Sequence, residues 1–188
     1  MTMHHQSYIP AEVLDRRCGL PGGLLRTSRL QYKFDAEEPQ YWGSHYGRMT
    51  PEALERMRAT FSVGAEQHAL WPGLDVQPDD LVVPKTRFSA FIPGTCDLDS
   101  LLKARGIDTL IVTGTATNCC CESTMRDAMQ MGYHVLFVQD GNATRGDAVH
   151  NASLANMLLF GDVVAADEVI ARIEGFAKAG DGGTALTT

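Results

Sequence analysis

From Leu81 onward the chain alternates short apolar runs with stretches whose apolar residues recur every three or four positions. That alternation is how parallel strands joined by crossover helices look in a sequence. LVVP at 81–84 predicts a strand. Leu98, Leu101 and Leu102 then recur at helical spacing behind Asp97, a residue type that caps helix N-termini, and Gly106 closes the helix. TLIVTG at 109–114 is apolar and rich in β-branched residues, which predicts a strand covered on both faces and central in its sheet. Cys121, Met125, Ala128 and Met129 share one helical face ending at Gly132, and HVLFVQD at 134–140 supplies the next strand. A further helix is predicted at about 147–160 with Leu154, Met157 and Leu158 at core spacing. VVAA at 163–166 precedes a last helix holding Val169, Ile170 and Ile173.

The N-terminal part gives a weaker pattern. Residues 11–30, AEVLDRRCGLPGGLLRTSRL, contain no strand of convincing length and no clean amphipathic helix, and helical spacing returns only at 51–60. WPGLDVQPDD at 71–80, with its prolines and aspartates, reads as a surface loop leading into the strand that ends on Lys85. The 188 residues suit one domain rather than two. We divide it into an irregular N-terminal segment at 1–80, an α/β core at 81–178, and a small, polar, Gly-rich tail at 179–188 expected to be flexible.

Charge narrows the partners. Asp and Glu number 23 against 16 Lys and Arg, a formal charge of −7, so the summed field repels phosphate backbones and anionic membrane surfaces. Nucleic acid and membrane are therefore excluded as expected partners, and a small-molecule substrate is the partner expected. The start, MTMHHQSYIP, has neither a basic nor an apolar signal region, and the expected location is the cytoplasm. Five cysteines, Cys18, Cys96, Cys119, Cys120 and Cys121, make a poor disulfide framework, being odd in number with three adjacent. Three consecutive side chains do not converge tetrahedrally on a metal, and no CxxC accompanies them.

The chemistry-bearing stretch is VTGTATNCCCESTMRDA at 112–128, where an apolar strand breaks at a turn of small residues and a helix begins around the cysteines. Unpaired N–H groups and the positive end of the helix dipole favour thiolate over thiol there. The same N–H groups can hold an oxyanion. Taken alone, a buried cysteine at a strand-to-helix turn is equally a small core residue. Lys85 shifts the balance, because parallel strands present their C-terminal ends along one edge, where a lysine and a thiol share a crevice. A lysine beside the thiol stabilises its anion.

With Lys85 in PKTRFSAF and Cys120 in RGIDTLIVTGTATNCCCESTMRDA, the sequence resembles the isochorismatase-like cysteine hydrolase superfamily over roughly residues 70–176. The resemblance implies a three-layer α/β/α fold with a mainly parallel, Rossmann-like sheet, here with its N-terminal strand and helix open to being incomplete. It places the nucleophile on Cys120, within T-N-x-C-x-E-S-T, and leaves Cys119 and Cys121 at positions where the family has apolar packing residues. It implies a cis peptide between Thr115 and Ala116, an oxyanion site from the N–H groups of Ala116 and Cys120, and a homo-oligomer. Phe88 and Phe91 are candidates for the pocket wall, with core packing the other reading of each. The family's general base is an aspartate ending the first strand; Asp15 in EVLDRRCGLPGG is the candidate here, although Arg17 stands where glutamine is usual.

The expected activity is thioester-forming hydrolysis of a small amide-like C–N substrate without a cofactor. The D-x-H metal motif of the nicotinamidases has no equivalent in QYKFDAEEPQYWGSHYG, so His45 and His68 are read as ordinary surface or hydrogen-bonded histidines and no metal is predicted. Two other readings stay open: a catalytically impaired or non-catalytic relative without an intact first strand, and a thiol redox switch built on the adjacent cysteines.

Overall fold

A computed structural model describes residues 28–32, 49–61 and 80–180, with positions 64–66, 69 and 78 between them. The strands are β1 (Ser28–Tyr32), β2 (Leu81–Lys85), β3 (Thr109–Thr115), β4 (His134–Ala143) and β5 (Asp162–Val164). The helices are α1 (Pro51–Phe61), α2 (Leu98–Lys103), α3 (Glu122–Gln130), α4 (Asp147–Met157) and α5 (Ala166–Gly180), and a π-helical turn at Thr117–Cys121 leads into α3. β1 lies parallel to β2, with Ser28 opposite Leu81 and Tyr32 opposite Lys85. β3, β4 and β5 form a second parallel group with β4 in the middle.

Alternation along β4 builds the layers, because successive side chains of a strand leave opposite faces. Val135 and Phe137 enter one core with Leu98 and Leu102 of α2, Met125 and Ala128 of α3, and Met157 of α4. Leu136 and Val138 enter the other, with Val164 of β5 and Val169, Ile170 and Ile173 of α5. Helices therefore cover both faces of the sheet, the three-layer α/β/α arrangement expected from the sequence. Gly132, at φ +91°, turns the chain from α3 into β4, a conformation that a side chain would oppose.

Four expectations need correction. Among the described residues β3 is not central: β4 pairs with one of its edges and no strand with the other, and its residues 110–114 are only half-buried. Its apolar composition satisfied the test for a central strand, but β4 is the strand that meets it on both faces. β1 lies within the segment read as irregular; SRLQY is five residues with a single aliphatic side chain, too little for a pattern to register. Leu158 is 66% exposed, because α4 ends at Met157 and the chain turns before Leu158 reaches the core; Ser153 is buried on the inner face instead. Finally, Asp97 precedes α2 but makes no side-chain capping bond.

β4 is longer than β3, and the pairing slips where they end together: Val112 faces Phe137, yet Gly114 faces Asn142. Asn142 closes the slip, its amide Nδ2 donating to the carbonyls of Val138 at 2.6 Å and Val112 at 3.0 Å. The offset carries the end of β4 up to the level of the turn after β3.

Candidate active site

The ends of β2 and β3 and the turn that follows β3 make the site. β2 ends on Lys85, whose side chain is 3% exposed and whose Nζ donates to the carbonyls of Arg87 and Phe88, both at 2.8 Å. A buried ammonium needs such acceptors, since stripping its water uncompensated is costly. The loop beyond is tied to α3, because the Ala90 N–H donates to Thr124 Oγ1 at 3.2 Å.

On the other side, β3 reaches Gly114 at φ +132°, where a β-carbon would be strained, and the Thr115–Ala116 peptide is cis. The Ala116 carbonyl accepts the N–H groups of Cys119 at 3.1 Å and Cys121 at 3.3 Å, which winds the π-helical turn. Within it Cys121 points into the core, Thr117 is fully buried, and Cys119 and Cys120 are half-buried.

The Cys120 thiol is lowered from 9.0 to about 6. Its largest cause is a hydrogen bond from the Cys119 thiol; burial works against it, and the Lys85 ammonium, by charge and by hydrogen bond, and the Ala116 N–H favour the anion. Cys119 is held up as the donor of that bond, and burial pushes Cys121 up to about 12. Lys85 and the Ala116 N–H thus both favour the anion at Cys120.

The structure brings Cys120, Lys85 and Ala116 together. Thr115 stands exposed beside them, and Phe88 is half-buried with its carbonyl on Lys85. Phe91 is 4% exposed in the core, its ring centroid 5.3 Å from that of Tyr133. Cys119 is half-buried, with its thiol hydrogen-bonded to the Cys120 sulfur. Asp15, His45 and His68 lie outside the described residues. Among the described residues no group of three or more His, Cys, Asp or Glu could hold a metal, and no helix is long and apolar enough to cross a membrane.

Sequence reasoning missed the residues that brace the turn. Thr144 Oγ1 donates to Asn118 Oδ1 at 2.7 Å, and His150 Nδ1 lies 3.0 Å from Thr117 Oγ1. Glu122 accepts from Arg126, at 2.7 Å from Nη2, and from Ser153, linking α3 to α4. Only the strand-to-helix pattern hinted at them, since their partners lie up to 33 positions away.

A comparison with known families decides the relationship. The family model of the isochorismatase domain matches residues 30–168. The chain belongs to the isochorismatase family. Within this family it is 40% identical over 127 residues to the ureidoacrylate amidohydrolase RutB of Variovorax paradoxus, covering 63% of this chain and 50% of that protein. It spans about half the length of the curated relatives it matches. Among solved structures, a cysteine hydrolase from Pseudomonas syringae pv. phaseolicola superposes with a TM-score of 0.72 at 30% identity, over 88% of this chain and 79% of that one. An N-carbamoylsarcosine amidase from Thermoplasma acidophilum shares the isochorismatase fold at 23% identity and a TM-score of 0.61, over 83% and 79% of the two chains.

Proposed function

We propose that this protein is a cysteine-dependent amidohydrolase that cleaves a C–N bond in a small amide, ureido or carbamoyl compound. The observation that carries the reading is the Cys120 sulfur set among the Lys85 ammonium, the Ala116 N–H and the Cys119 thiol. The thiolate attacks the substrate carbonyl, and the oxygen that becomes negative is held by the N–H groups of Ala116 and Cys120 with the Lys85 charge beside it. The tetrahedral species collapses as the C–N bond breaks, and the leaving nitrogen takes the proton that an upstream carboxylate, the general-base role we assign to Asp15, has drawn from the Cys120 thiol. Water then attacks the thioester and releases the acid, restoring the thiolate and returning the proton to the carboxylate. The choice of C–N substrates is supported by the likeness to the ureidoacrylate amidohydrolases.

A panel of ureidoacrylate, N-carbamoyl amino acids and simple amides, assayed for ammonia release, tests this reading. Cys120→Ala should abolish turnover, and brief acid quenching of the native enzyme should trap a substrate-derived mass on the peptide containing Cys120. Undiminished release by Cys120→Ala would refute the nucleophile.

A further inference from the structure

The turn that carries the reactive sulfur is held from inside by the Ala116 carbonyl and from outside by two side chains that lie beyond β4. Thr144 grips Asn118, and His150, in the first turn of α4, meets Thr117. The second contact is the more constraining. Thr117 is 0% exposed, so water cannot substitute for a lost partner, and its hydroxyl lies 3.0 Å from Nδ1 of His150. Thr117 comes directly after Ala116, whose N–H faces the sulfur, and precedes Cys120 by three positions. A shift at Thr117 therefore moves both groups together.

We propose that His150 is a positioning residue: through its Nδ1 contact with the buried Thr117 hydroxyl it fixes the turn so that the Ala116 N–H and the Cys120 sulfur keep their mutual placement. His150 touches neither sulfur nor substrate in this role. Either tautomer serves, since Nδ1–H can donate to the hydroxyl oxygen or bare Nδ1 can accept the hydroxyl proton. What matters is a polar atom one bond beyond Cγ, which asparagine also offers and phenylalanine does not. The placement is sensitive because a displacement of about 1 Å at a reacting group costs on the order of 100-fold in rate.

The inference rests on the hydrolase reading for its kinetic consequence, so its test has two arms. In the kinetic arm, His150→Phe and Thr117→Val should each lower kcat roughly tenfold or more, with KM within about twofold of the native value. The double variant should fall no further than either single one, because both remove one interaction. His150→Asn and Thr117→Ser should stay within about threefold of native, restoring the contact. In the chemical arm, which needs no substrate, iodoacetamide alkylation of Cys120 followed by mass spectrometry should slow several-fold in His150→Phe and not in His150→Asn. Should His150→Phe not fold, His150→Ala carries both readouts. Native kcat and alkylation rate in His150→Phe, additive losses in the double variant, or equal losses in the Asn and Phe variants would overturn the role of His150. Turnover surviving Cys120→Ala would instead sink the hydrolase reading, and the alkylation arm would still decide the positioning claim.

Discussion

β3 and β4 lie side by side, with similar apolar composition, and do different work. Val135, Phe137 and Val138 of β4 are at most 5% exposed and feed two separate cores, whereas no residue of β3 is fully buried. β4 therefore carries a large share of the packing energy, while β3 delivers its C-terminal end, Gly114 and Thr115, to the cysteine-bearing turn. Burial on both faces makes a strand costly to alter; half-burial leaves a strand whose main task is to place the turn at its end.

The contrast breaks most sharply at Phe137, which is 0% exposed. Phe137→Ala should destabilise the fold by about 3–5 kcal/mol in denaturant unfolding, with Cys120 reactivity per folded molecule little changed. Leu110→Ala in β3, where the side chain is half-buried, should cost only about 1–2 kcal/mol in the same assay. An equal cost at both positions would erase the distinction.

The functional side of the comparison sharpens with pH. Because the thiolate is the form that reacts, Cys120 alkylation should rise with pH through about 6 and level off above, well before Cys96, whose thiol burial pushes above 9.0. Lys85→Met should move the Cys120 midpoint upward, since a cation favouring the anion is lost. Cys119→Ala should do the same by removing the thiol donor, and Cys119→Ser, which keeps a hydroxyl to donate, should shift it less. A midpoint unmoved in both Lys85→Met and Cys119→Ala would show that the sulfur is not held as described. A loss as small as that at Leu110 is expected at Thr124, where removing the acceptor for the Ala90 N–H in Thr124→Val should cost about 1–2 kcal/mol of stability.

The same division governs how much of the molecule is legible in the sequence. HVLFVQD and TLIVTG announce strands because both are apolar runs, but an apolar run alone cannot tell a strand buried on both faces from one half-buried, so the pattern places β3 centrally. Ser28–Tyr32 is too short and too polar to register, and Leu158 reads as core because helical periodicity does not say where the helix stops. Cys120 and Lys85 are readable from their places at strand ends. Cys119 reads as packing because its contact with the neighbouring sulfur depends on how the turn winds. His150 gives no signal, being one histidine on a helix whose partner is fixed only when α4 docks beside the turn.

The slip between β3 and β4 has a further consequence. Between Val112 and Gly114 one residue of β3 is passed over, while between Phe137 and Asn142 four residues of β4 are. The reach of Thr144 and His150 is thus set by chain length, as a ruler sets a mark, and not by any single contact. Deleting one residue from 138–141 would leave the Cys120 sulfur chemically intact, yet draw the bracing side chains back and turn their faces away. In this part of the molecule an insertion or a deletion should be far less tolerated than a substitution.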